Sequence, residues 1–323
     1  LAPSIRRVLY MKSIVYKYWY ALVNTVRTKW LSIVSMFFAL VGGAFTLSEI
    51  LGSVFGNTIG FTLMRSYTIP GSIAFVIICV IYNWTALTYS CFIANCDTRI
   101  TLSVCDIFSQ KGALVIPTNT TFDTTMDDEF ISIHSVQGQY QEKFFHNALS
   151  RLDNELSQAL RDYSYELVQD GRHTNRKKYP IGSVCKISRG SEHDYFLAVV
   201  DINKYGKPEN VTLDNITCSL FSFWQQINKI GHLESIRIPI IGTGRAGLKN
   251  ASRDQIIQKI IFSFVATARE MKVTESLTIC IHPSDFANKN IHWNEICDYL
   301  RCICKFQDNL IEAPISANKN FQY

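Results

Sequence analysis

The stretch "IPIIGTGRAGLKN", residues 238–250, runs an apolar strand into Gly242, Gly244 and Gly247. Glycines so placed let main-chain N–H groups approach phosphate oxygens, and a nearby helix N-terminus adds positive potential. The chemistry to expect is the holding of an anion. Two familiar loops come close to this spacing, and both fail further along the chain. A dinucleotide site needs an acid about 20 residues on, at the next strand tip. That tip is His282–Asp285, much too late. A phosphate-loop ATPase needs Lys-Ser/Thr after its last glycine, whereas Gly247 is followed by Leu248, Lys249 and Asn250. No Ser/His/Asp or Cys/His constellation stands out. The ten cysteines are scattered, and Cys302 and Cys304 are too close for the usual zinc pairing. No metal site is expected, and free thiols in this number suit a reducing cytosol.

The elements that must position this loop alternate. "RITLSVC" and "GALVIPT" read as strands, and residues 139–167 as one helix with Phe144, Phe145, Leu149, Leu152, Leu156 and Leu160 along one face. "SVCKIS" and "YFLAVVDI" read as paired strands. "VTLDNITCSLFSFWQQINKIG" and "SRDQIIQKIIFSFVATAREM" read as helices, the second capped by Ser252, and "SIRIPIIG" and "SLTICIH" as strands. "HWNEICDYLRCIC" reads as the last helix. The run Arg172, His173, Arg176, Lys177, Lys178 reads as a solvated loop. Such alternation predicts a three-layer α/β/α domain with a mixed sheet, its ligand at the carboxyl ends of the strands.

Charge and hydropathy predict a membrane segment ahead of that domain. The 323 residues carry a net charge of +5. The excess lies in Arg6, Arg7, Lys12, Lys17, Arg27 and Lys29, with no acid before Glu49, so the remainder is nearly neutral. That excludes a broad basic face and a general nucleic-acid binder. Residues 30–48 and 66–96 are free of charge, each run covering the roughly 20 residues that cross a bilayer. The basic N-terminus predicts both termini in the cytoplasm. Tyr16, Tyr18, Trp19 and Tyr20 suit an interfacial helix. Glu49 is either at the far, headgroup end of the first span or a functional intramembrane carboxylate. Four segments follow: a cytoplasmic or interfacial stretch over 1–29, a two-helix transmembrane hairpin over 30–96, a cytosolic α/β domain over 97–313, and a tail over 314–323.

From about residue 100 to 306 the chain resembles the macro domain, an ADP-ribose-binding fold. "VCDIF" is similar to the family's Gly-Asp-Ile-Thr turn, which implies that Asp106, followed by Ile107, holds the adenine amino group. "ALVIPTNTT" is similar to the family's asparagine-ended strand, with Asn119 beside the distal ribose. Ser135, Val136, Gln137 and Gly138 occupy the place of the glycine-rich diphosphate loop. "IPIIGTGRAGL" resembles the family's proline-containing strand and Ser-Thr-Gly-Ile-Tyr-Gly loop, which implies that Gly242, Thr243, Gly244, Arg245, Ala246 and Gly247 cradle the diphosphate. Arg245 stands where an apolar residue usually covers the ribose, and is either a solvated loop residue or a clamp on phosphate or carboxylate. His282 and Phe286 either stack on adenine or pack into the core.

The glycohydrolase branch of that family carries a catalytic glutamate where this chain reads Gln141-Glu142-Lys143. A lysine there is no carboxylic proton donor, so binding without turnover is expected, with no catalytic residue. Two spans followed by a macro domain resemble the membrane effector of the type II Thoeris anti-phage system. The resemblance implies a bacterial inner-membrane protein, a homo-oligomer, and a partner TIR-domain enzyme. That enzyme makes a nucleotide signal of the histidine–ADP-ribose type; no further cofactor is implied. A membrane-tethered ADP-ribosyl hydrolase and a structural anchor or scaffold are the alternatives.

Overall fold

The computed structural model describes residues 3–55, 57–84, 87–126, 131–168, 176–203, 208–209, 211–242, 248, 251–288 and 291–306. The chain divides into two compact units, Leu1–Leu87 and Thr88–Tyr323.

In the first unit, α1 (Pro3–Phe55) and α2 (Asn57–Tyr82) pack against each other. Lys29 leaves helical geometry (φ −121°, ψ 21°) and divides α1 in two. Ser32 Oγ donates to Asn83 Oδ1 at 2.9 Å, tying the second half of α1 to the end of α2. Within α1 the stretch Ile14–Val54 is long and apolar enough to cross a membrane, whereas in α2 the apolar stretch is the shorter Ile69–Tyr82. The uncharged run from 66 to 96 is therefore not one continuous helix. Thr88–Phe92 forms a strand, β1, and the unit ends at Leu87 rather than Cys96. Lack of charge marks a buried or hydroxyl-lined strand as readily as a span: Ser90 Oγ and Thr101 Oγ1 meet at 2.9 Å across β1 and its neighbour.

The second unit continues with β2 (Arg99–Val104), a 3₁₀ turn (Ile107–Ser109), β3 (Ala113–Asn119), α3 (Val136–Phe145) and α4 (Leu149–Ala159). Then come β4 (Glu166–Val168), β5 (Arg176–Lys178), β6 (Val184–Arg189), β7 (Glu192–Ile202), β8 (Pro208–Glu209) and α5 (Leu213–Ile230). The last elements are β9 (Ile236–Pro239), α6 (Arg253–Glu270), β10 (Ser276–Ile281), α7 (Pro283–Asn288) and α8 (Trp293–Lys305). Strand order in the eight-stranded sheet is β1-β2-β10-β9-β3-β7-β6, with β8 also on β7. The β2, β10, β9, β3 and β7 strands are parallel, while β1, β6 and β8 pair antiparallel at their ends. The expected mixed sheet is present, and all five parallel strands point their carboxyl ends one way.

Alternate residues of the central strands serve opposite faces. Leu114, Ile116, Phe196 and Ala198 pack with Tyr140, Phe145, Leu152 and Leu156 of α3 and α4. On the other face Tyr195 meets Phe223, and Trp224 stacks edge-on with Phe264 at 5.0 Å, linking α5 to α6. Burial on both sides is why "YFLAVV" reads as a continuous apolar run. Ser252 and Gln255 form a capping box at the start of α6. One buried charge is fully engaged: Asp194 accepts from the Leu114 N–H (2.8 Å), the Tyr140 hydroxyl (3.0 Å) and Arg189 Nε (2.5 Å).

Two expectations change here. Residues 139–167 are not one helix. The chain turns at Ala148 (φ −141°, ψ 33°), so that α3 covers β3 and α4 covers β6, and it ends in β4. The stripe itself survives the break, with Phe145, Leu152, Leu156 and Leu160 buried. The basic run is not wholly a solvated loop either. Arg176–Lys178 form β5, Arg176 pairs with Asp123, and Lys178 meets Asp201 at 2.7 Å.

Candidate functional site

A cleft of about 390 Å³ opens at the carboxyl ends of β2, β3, β7, β9 and β10. Its position follows from two prolines. Pairing of β3 with β9 stops after Ala113↔Ile236 and Leu114↔Arg237. Beyond that point lie Pro117 on β3 and Pro239 on β9, neither able to donate a ladder hydrogen bond, and both line the cleft. On the other side of β3, the register with β7 slips between Thr118 and Asn119, and the extra residue, Val199, lines the cleft too.

Asp106 stands at one wall as the cap of the 3₁₀ turn, its Oδ1 accepting the Phe108 N–H at 2.9 Å. The turn is held from below by Arg237, whose Nη1 donates to the carbonyls of Ile107 and Gln110. Burial lowers the pKa of that guanidinium. Asn119, at the end of β3, directs its Oδ1 to the N–H groups of Thr121 and Asp123, and its Nδ2 to Asp123 Oδ2 at 2.8 Å. An amide carries two N–H donors, so one remains for a ligand among the described residues. Gln137 reaches from the first turn of α3 to the Asp123 carbonyl at 2.6 Å, pinning the same loop. Ser135 caps α3 by accepting the Gly138 N–H at 3.0 Å.

Gly242 closes the opposite wall. Its φ of +74° favours glycine, and a Cβ there would meet Ile216 Cδ1 at 2.7 Å. Its carbonyl accepts the Leu248 N–H at 3.3 Å, so the chain leaves and re-enters the wall at one point. Thr243, Gly244, Arg245, Ala246 and Gly247, expected to hold the diphosphate, lie outside the described residues. His282 lines the floor, with Nδ1 beside Ser284 Oγ at 2.6 Å.

The cleft thus gathers Asp106, Ile107, Asn119, Ser135, Val136, Gln137, Gly242 and His282 from separate parts of the chain. Two expected residues stand elsewhere. Gly138 is not part of the lining: a Cβ on it would meet the Ser132 carbonyl oxygen at 2.3 Å, so this glycine serves close backbone packing. Phe286 is buried with its ring edge-on to Trp293 at 6.2 Å, the core reading rather than the adenine-stacking one. The sequence reading missed Pro117, Thr118, Val199, Val200 and Asp285. Thr118 is notable because its Oγ1 is buried without a hydrogen-bond partner among the described residues.

Carboxylates in the described lining are Asp106 and Asp285. Glu142 points away and pairs with His146 at 3.0 Å, and the Lys143 ammonium lies over the Phe108 and Phe144 rings. A hydrogen bond with Cys105, then burial, pushes the pKa of the Cys280 thiol upward, which makes it a poor nucleophile. Among the described residues no three His, Cys, Asp or Glu side chains are grouped to hold a metal ion.

The family model described as "Thoeris protein ThsA, Macro domain" matches residues 100–282, a range running from β2 to the last strand's tip and spanning the cleft. A curated relative, "Thoeris protein ThsA" of Bacillus amyloliquefaciens, is 23% identical over 198 residues, or 58% of this chain. The match spans 63% of that relative's length. Among solved structures, the chain is similar to the Oceanobacillus iheyensis macrodomain with ADP, 15% identical with a TM-score of 0.44, covering 70% of this chain and 98% of that one. The same macrodomain with MES bound is 15% identical with a TM-score of 0.44, covering 66% and 98%. The family match covers more than half of the 323 residues, and the chain belongs to the Thoeris protein ThsA macro-domain family.

Proposed function

We propose that this chain is a membrane-anchored sensor in anti-phage defence, whose cleft holds an ADP-ribose-derived nucleotide without consuming it. The observation carrying this reading is the convergence of Asp106, Asn119, Gln137 and Gly242 on one cleft at the strand ends. An acid at one end of the cleft suits an adenine amino group. A glycine wall that precedes a capped helix suits a diphosphate, and an asparagine amide suits ribose hydroxyls. The Thoeris name of the curated relative supports a role in defence.

The signal is a conjugate of the histidine–ADP-ribose type, made from NAD by a partner TIR-domain enzyme. The α1 and α2 helices anchor the chain in the cell membrane as a hairpin, with both termini cytoplasmic. A ligand acts on a membrane unit only by binding one arrangement better than another, so the sensor works as a homo-oligomer whose packing shifts on binding and then disrupts the membrane.

Binding without turnover is favoured by Glu142, which pairs with His146 outside the lining, and by Lys143, which has no carboxylic proton to give. Incubating the full chain with ADP-ribose conjugates and separating the products by chromatography tests this. Intact ligand agrees with a sensor. Steady release of ADP-ribose, lost in Asp285→Asn, would replace the sensor by a hydrolase.

A further inference from the structure

The stretch of α1 from Ile14 to Val54 has a length no single span accommodates. Its 41 residues would extend about 60 Å at 1.5 Å per residue, twice a hydrocarbon core of about 30 Å. The helix is broken at Lys29, which leaves 30–55 for a span of about 39 Å. The remaining part, 14–28, is also apolar along one stripe, and that stripe faces outward. Val15, Trp19, Val23 and Val26 recur at three- or four-residue spacing, and Val15 and Trp19 are 63% and 61% exposed. A surface helix in water would hide such a stripe. Lys12, Lys17, Arg27 and Lys29 lie within or next to this segment of the chain, with no acid before Glu49.

We propose that residues 14–28 form a second lipid-binding element, a helix lying in the membrane interface on anionic headgroups, joined to the span at the Lys29 break. It rests on the membrane reading above. Apolar residues on one stripe enter the acyl boundary, Tyr18 and Trp19 suit the polar–apolar border, and the basic side chains meet phosphate charge at the surface. The partner is an anionic phospholipid surface. The sign of the charge carries that choice, since acids are absent from the whole segment. Such an element would hold the entry to the span at one depth and make anchoring sensitive to lipid composition.

The test uses the full chain in phosphatidylcholine vesicles, with and without phosphatidylglycerol. Trp19 emission is taken as the difference between the chain and Trp19→Phe, and is read against lipids brominated near the headgroup or near the bilayer centre. The expected result is about twofold stronger quenching by headgroup-side bromine than by central bromine. That quenching should grow with phosphatidylglycerol, and the growth should vanish in Lys17→Glu/Arg27→Glu while the chain still resists alkaline extraction. Unquenched Trp19 in a retained chain, strongest quenching at the bilayer centre, or no dependence on anionic lipid would overturn the inference alone. Release of the chain by alkaline wash would overturn the membrane reading with it.

Discussion

Arg237 Nη1 donates to the carbonyl oxygen of Ile107 at 2.8 Å, one residue past the acid at the wall of the cleft. The same group reaches Gln110, so one guanidinium closes the turn that aims Asp106. A cation in a central strand, 3% exposed, is costly unless its donors are used, and here Nη1 is used while the buried Nε has no partner among the described residues. Arg237→Met keeps the bulk and leaves both carbonyls without their donor. Stability should fall by about 1–3 kcal/mol in urea unfolding. Affinity for ADP-ribose should fall too, with partial recovery in Arg237→Lys. Full affinity in folded Arg237→Met would show that the turn aims Asp106 unaided.

Asp106→Ala removes both the cap of the turn and the acid of the cleft wall. The cap alone is worth about 0.5–2 kcal/mol of stability. Ligand affinity, measured calorimetrically on folded protein, should drop by a further 1–3 kcal/mol for a lost charge-assisted hydrogen bond, about that range in free energy. An unchanged dissociation constant would move the adenine site elsewhere in the cleft.

Thr118→Val distinguishes a structural hydroxyl from a ligand-binding one. Its Oγ1 has no partner in the described cleft, so replacing it by a methyl of similar shape should leave the melting temperature of the free protein unchanged or raised. If the hydroxyl awaits a ligand, affinity should fall by about 0.5–1.5 kcal/mol. Equal affinity in both proteins would leave Thr118 no part in binding.

His292 Nδ1 lies 2.6 Å from Asp254 Oδ2, joining the entry of α8 to the first turn of α6. The hydrogen bond to Asp254, and then its charge, raise the pKa of His292 above the usual 6.5. A raised histidine pKa means that the folded state binds the proton more tightly. The stabilisation is complete below pH 6.5 and fades as pH rises through the folded-state value. Asp254→Asn should therefore lower the melting temperature more at pH 6 than at pH 9. An equal loss at both would mean that the pair contributes no charge-linked stability.

Much of the fold was legible because periodicity reports burial. The two-sided burial of Tyr195–Val200 and the cap at Ser252 both read directly from residue type. The missed break at Ala148 has no such marker: the apolar stripe continues through it, and only the choice of strand to cover forces the turn. β1 was hidden because its uncharged residues continue an apolar run. In the site, Asp106, Asn119 and Gly242 were legible through local motifs. Thr118 and Val199 were not, because their place depends on a register slip between β3 and β7, a relationship between distant segments. Gly138 misled for a plain reason: glycine marks any close approach, and here the neighbour is the Ser132 backbone.

The central claim is that this cleft binds an ADP-ribose-containing nucleotide. Its most direct measurement is calorimetric titration of the full chain, held in detergent micelles, with ADP-ribose, a histidine–ADP-ribose conjugate, and ribose 5-phosphate. The account predicts saturable binding of the two adenine-containing ligands, weakened in Asp106→Ala, and little heat from ribose 5-phosphate. No binding of either adenine-containing ligand by folded protein, or binding untouched by Asp106→Ala and by Gly242→Val together, would contradict it.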